Sequence, residues 1–130
     1  MKWILPLVML LGISCQKLKA DEYYVKYGLK TAGSSGGNVL VDVIKEDRNG
    51  FPTFIVPIRQ DWEITIGPVK KGFNASMVVT KSGWNGVTPE NNLKLYLRIE
   101  TSRNNGPWTL KELNGSDIPR ATATIEYTIQ

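Results

Sequence analysis

The sequence predicts an all-β fold, and three observations carry that expectation. Apolar residues alternate with period two in several stretches, no stretch after Cys15 joins helical periodicity to helix-forming composition, and turn residues fall between the alternating runs. The clearest strand is Leu93 to Thr101, where Leu93, Leu95, Leu97 and Ile99 face one way and Lys94, Tyr96, Arg98 and Glu100 the other. The last segment repeats the pattern, with Ala121, Ala123, Ile125, Tyr127 and Ile129 alternating with Thr122, Thr124, Glu126 and Thr128. Four more runs alternate less cleanly: Tyr23 to Leu29, Val39 to Val43, Trp62 to Ile66, and Phe73 to Val79, all rich in β-branched and aromatic residues. Thr53 to Ile58 is apolar but flanked by Pro52 and interrupted by Pro57, which cannot donate to a ladder, so it belongs at an edge or a strand switch. Trp108 to Leu113 is the weakest strand signal.

Turn chemistry separates these runs. Arg48-Asn49-Gly50 and Asn104-Asn105-Gly106 suit hairpins, Asn114-Gly115 ends a strand, and Ala32 to Gly37 and Ser82 to Asn92 make longer loops. Seven or eight short strands at this spacing indicate an immunoglobulin-like antiparallel β-sandwich, with a small barrel as the alternative. No internal repeat is evident.

The amino-terminal segment reads differently. Met1 and Lys2 precede an uncharged run from Trp3 to Ile13, followed by Ser14 and Cys15, the order of a secretion signal. Eleven residues of helix reach about 17 Å, too short for a hydrocarbon core of about 30 Å. The run Leu11-Gly12-Ile13-Ser14-Cys15 resembles the bacterial lipobox, although Gly12 stands where that motif usually has leucine. The resemblance implies cleavage before Cys15 and acylation of its sulfur and new amino terminus. Two or more acyl chains hold a protein stably on a bilayer where one is marginal. The expected organisation is therefore a signal peptide over 1–14, an acylated Cys15 with a polar tether over 15–22, and one sandwich domain over 23–130. Gln16 follows the cysteine; in enterobacterial lipoproteins an aspartate there retains the protein at the inner membrane, so the resemblance favours the outer membrane.

Composition narrows the chemistry. Removing residues 1–14 from a chain of 130 leaves 116, the size of a single domain. Losing Lys2 from 16 basic residues against 12 acidic ones leaves a net charge of +3, spread along the chain, which is no nucleic-acid footprint. Histidine is absent and the single cysteine ends the signal, so a classical triad, a disulfide framework and a cysteine metal site are all excluded. Asp61 and Glu63, two apart on an expected strand, could form a carboxylate pair, but such a pair is far more often a solvated strand face. Asp47 and Asn49 fall short of a calcium loop, and Gly33 to Gly37 lacks the lysine and helix of a phosphate cradle. No catalytic residue, metal or cofactor is expected.

Aromatic residues are the remaining lead. Trp62 alternates with Ile64 and Ile66 and belongs to the core, whereas Trp84 sits in the loop Ser82-Gly83-Trp84-Asn85-Gly86. Tyr24 and Tyr96 fall by parity on the polar faces of their strands, with Lys26 and Arg98 beside them. Trp84, Tyr24 and Tyr96 are thus the candidate ligand-binding residues, for a sugar or a peptide, with Trp84 folding back over one end of the sandwich as the alternative.

Val25-Lys26-Tyr27, Val39 to Val43, Trp62, Leu97-Arg98-Ile99 and Ala121-Thr122-Ala123 with Ile125 and Tyr127 follow one another in an order that resembles the MmpS family. These are small membrane-anchored β-sandwich proteins that accompany mycobacterial lipid exporters. That family is anchored by a helix rather than a lipid, and its domain commonly carries cysteines. The resemblance implies an accessory or chaperone-like role beside an envelope transporter. The expected partners are therefore a membrane, through lipid on Cys15, and an envelope protein, with a surface glycan as the alternative and no nucleic acid.

Overall fold

The structure, a computed structural model, describes residues 20–33, 36–45, 53–86 and 92–130. The expected signal segment, Cys15 and the turn expected at Arg48-Asn49-Gly50 lie outside the described residues. Eight strands follow in order: β1 (Tyr23–Ala32), β2 (Asn38–Val43), β3 (Thr53–Pro57), β4 (Trp62–Val69), β5 (Asn74–Lys81), β6 (Lys94–Arg103), β7 (Thr109–Gly115) and β8 (Thr122–Thr128). They form two four-stranded antiparallel sheets, β4-β1-β6-β7 and β3-β2-β5-β8, which pack as the expected β-sandwich.

Side-chain alternation decides which residues meet between the sheets. From the first sheet come Val25, Tyr27, Leu29, Leu95, Leu97, Ile99 and Ile66; from the second come Val39, Val41, Val43, Val56, Ala75, Met77, Val79, Ala123 and Ile125, all buried. Each side chain of leucine size taken out of water contributes about 1.5–3 kcal/mol. Trp62 is half-buried against this core and meets Phe54 across the β3–β4 side, ring centroids 5.3 Å apart. β3 is an edge strand, as Pro57 requires, and ends there, one residue short of the expected Ile58.

Tyr27 joins the two sheets directly. Where β2 runs out, the Ile44 amide donates to the Ser76 carbonyl at 3.1 Å, half of an antiparallel pair. The reciprocal half is bridged by the phenol: the Ser76 amide donates to Tyr27 Oη at 3.2 Å, and Tyr27 donates to the Ile44 carbonyl at 2.8 Å. A hydroxyl carried on the first sheet is thereby spliced into the ladder of the second. Burial pushes its ionisation up, against the lowering effect of the Ser76 amide.

The β7–β8 side is held by polar groups instead. Asn114 Nδ2 donates to the Thr124 carbonyl at 2.7 Å, and the Arg120 guanidinium donates to Asn114 Oδ1 and to the carbonyls of Leu95 and Asn114 at 2.8–3.1 Å. The β6–β7 hairpin turns through Asn104 and Asn105, both at positive φ (51° and 60°), the tight turn that asparagine-rich sequence favours.

Candidate functional site

The two outer faces of the sandwich differ in chemistry. On the β4-β1-β6-β7 sheet, parity turns outward Glu63 from β4, Tyr24, Lys26, Gly28 and Lys30 from β1, and Lys94, Tyr96, Arg98 and Glu100 from β6. The charges neutralise one another across strands: Arg98 binds Glu63 at 3.1 Å and Lys26 meets Glu100 at 3.7 Å. Asp61 lies just before β4, not on it, so the sequence pairing of Asp61 with Glu63 gives way to the cross-strand partner Arg98.

Long side chains on this face lie down over glycines. The Arg98 guanidinium fills the place a β-carbon would take on Gly28. A β-carbon on Gly115 would stand 2.8 Å from the Tyr96 ring, and one on Gly67 would stand 2.8 Å from the Tyr24 ring. The Tyr96 hydroxyl also donates to Asp117 Oδ1 at 2.5 Å, a bond to a carboxylate that raises its ionisation above the usual tyrosine value.

These contacts place the three ligand-binding candidates apart. Tyr24 pairs with Ser102 and Tyr96 with Lys30, so the tyrosines stand six residues apart along β6, about 20 Å at ~3.4 Å per residue. Trp84 belongs to the turn leaving β5 of the other sheet, where its amide donates to the Lys81 carbonyl at 3.1 Å, and it is half-buried. Tyr24 and Tyr96 share a face with Lys26 and Arg98, as parity indicates, but the three aromatics form no single cluster.

The outer face of the β3-β2-β5-β8 sheet is almost free of charge. It presents Thr53, Ile55 and Pro57 from β3, Leu40 and Asp42 from β2, Val78 and Thr80 from β5, and Thr122, Thr124, Glu126 and Thr128 from β8. Among the described strand residues Asp42 and Glu126 are its only ionisable side chains, and Asp42 accepts a 2.6 Å bond from Thr53. Ile55 is 68% exposed at the β3 edge, directly across from Leu40. No lysine or proline lies in β8, whose edge is met by β7 through the bond from Asn114 to the Thr124 carbonyl.

A third feature is the polarity of β7. Its pairing sets Thr109, Glu112 and Asn114 on the inner side and Leu110 and Leu113 on the outer side, the reverse of every other strand. A register shift between Ile99 and Glu100 makes Lys111 the extra residue of a bulge, which is why Leu110 and Leu113, three apart, face the same way. Trp108 is 40% exposed, Leu110 53%, Leu113 65%, and Ile118 in the next turn 75%. Lys26 Nζ stands 4.2 Å from the centre of the Trp108 ring. The broken parity of Trp108, Leu110 and Leu113 is the sequence signal for this ridge.

Among the described residues no helix is long and apolar enough to cross a membrane, and no three His, Cys, Asp or Glu side chains are gathered as metal ligands. Comparison with protein-family models, with curated proteins and with solved structures finds no match to the chain.

Proposed function

We propose that this is a lipid-anchored cell-envelope protein whose β-sandwich is a non-catalytic module binding another envelope protein. The anchoring half rests on the order Lys2, apolar run, Ser14, Cys15, with Gln16 favouring the outer membrane. The binding half rests on one observation above all: the described strands of the β3-β2-β5-β8 sheet turn outward a face with two ionisable side chains, Asp42 and Glu126, and with Ile55 exposed on its edge strand β3. Protein interfaces are depleted of charge at their centre, and an open edge accepts an extended segment of a partner through main-chain hydrogen bonds. The partner meets this face as an accessory meets an envelope transport or assembly system, the role the sequence resemblance implies. A glycan is less well served, because Tyr24, Tyr96 and Trp84 would each meet it singly.

A photo-crosslinking residue placed at Ile55 or Thr124 in cells tests this. One dominant protein adduct is expected from both positions and none from Glu63 on the opposite face. Equal labelling from all three positions, or no adduct at native expression, refutes the assignment.

A further inference from the structure

The β7 ridge lies at the corner of the molecule where the chain leaves for its tether. Asp21 and Glu22 are clamped to the β6–β7 turn: the Asn104 amide donates to the Glu22 carbonyl at 2.7 Å, the Glu22 amide to Asn104 Oδ1 at 2.9 Å, and Asn104 Nδ2 to Asp21 Oδ1 at 2.8 Å. Arg103 adds an ion pair to Asp21 at 2.5 Å. Trp108 follows four residues after Asn104, so the tether and the ridge emerge side by side. From Asp21 back to Cys15 is six residues, which span at most about 21 Å even fully extended. A lipid on Cys15 therefore keeps the β6–β7 hairpin within that distance of the bilayer surface.

We infer that the exposed ridge Trp108, Leu110 and Leu113 is a bilayer-seating surface that lays β7 into the headgroup region of the membrane carrying the anchor. Three features fit that occupant. Tryptophan with leucines is the apolar chemistry of the membrane interface, where an amphipathic ring is at home. Lys26, paired with Glu100, holds its ammonium 4.2 Å from the centre of the Trp108 ring, so the apolar ridge carries a polar rim on its β1 side, as an interfacial surface does. The clamp fixes the exit point of the chain, so a short leash keeps this corner near the surface. Seated this way, the outer face of the other sheet points away from the lipid and stays open to a partner. The inference rests on the anchoring proposed above and adds the orientation of the domain.

The test uses the full chain as matured in its host, with its acyl groups, in vesicles of phosphatidylethanolamine and phosphatidylglycerol whose acyl chains are brominated. Emission from Trp108 is the difference between wild type and Trp108→Phe, and it is expected to fall about twofold in brominated relative to plain vesicles, as for a ring at the acyl boundary. A Leu110→Ser, Leu113→Ser variant should lose most of that quenching while keeping its urea midpoint, because both residues are exposed. If intact mass confirms the acyl groups and Trp108 emission is the same in both vesicles, the seating is overturned and the anchor stands. If Trp108 becomes shielded only on adding solubilised envelope proteins, the ridge is a protein interface and the inference is likewise overturned. If the mass shows no acyl group, the anchoring itself fails.

Discussion

Replacing Tyr27 by phenylalanine removes one oxygen from the contact between the two sheets and leaves the ring that fills the core. The Ile44 carbonyl and the Ser76 amide both lose the partner that now joins them. Each buried backbone group left unpaired costs about 1–3 kcal/mol, and a direct Ser76-to-Ile44 bond could recover part of this if β2 and β5 close up. The expected loss is about 2–4 kcal/mol, a large share of the roughly 5–15 kcal/mol that holds a domain of this size together. Urea unfolding followed by tryptophan emission should show the midpoint lowered by on the order of 1–2 M, taking a slope of about 2 kcal/mol/M. Hydrogen exchange at the Ser76 amide should speed up by more than the global change requires. The pH dependence has a definite sign: the buried phenol ionises only above the ordinary tyrosine value of 10.0, so its contribution is intact below that pH and is lost as pH rises through the higher folded value. Tyr27→Phe should remove this part of the alkaline sensitivity. A stability change under about 0.5 kcal/mol, with Ser76 exchange unaltered, would refute the bridging role.

Other expectations follow from the same geometry. Arg120→Met should cost about 2–3 kcal/mol, because three hydrogen bonds to Asn114 and Leu95 go with the guanidinium, and β8 amides should exchange faster as the seam opens. Gly33→Ala should be among the most damaging glycine changes: Gly33 has φ +113°, and its β-carbon would overlap the Asn92 carbonyl oxygen, so thermal unfolding should move down by several degrees or expression should fail. Ile55→Lys should leave the unfolding free energy within about 0.5 kcal/mol of wild type while abolishing the crosslinked partner, since its side chain is exposed. Asp21 is held below the usual carboxylate range first by the Asn104 side chain and then by Arg103. Its clamp is therefore complete above the ordinary aspartate value and is lost as pH falls through the lower folded one. Carboxyl titration by NMR should show that lowered value, and Asn104→Ala should raise it.

The core was legible because burial and parity agree along most strands. Leu95, Leu97 and Ile99, or Val39, Val41 and Val43, can face the interior in only one register, and the sequence states that register without ambiguity. β7 resisted the same reading because a bulge at Lys111 breaks the period and an edge position lets its leucines face outward. Asn104 announced a hairpin, but nothing local said that its side chain would clamp Asp21 and Glu22, residues more than eighty positions away. Asp61 and Glu63 looked like a pair because spacing along one strand is visible in sequence, while the cross-strand neighbour Arg98 is not. Tyr24 and Tyr96 were placed on the right face, yet their 20 Å separation depends on pairing register, which alternation leaves open.

Anchoring of this domain turns on what is bonded to Cys15. Intact mass of the protein extracted from its own membranes should give a chain beginning at Cys15 with the added mass of two or three fatty acyl chains. A chain that keeps Met1, or a Cys15 whose sulfur is a free thiol, contradicts it.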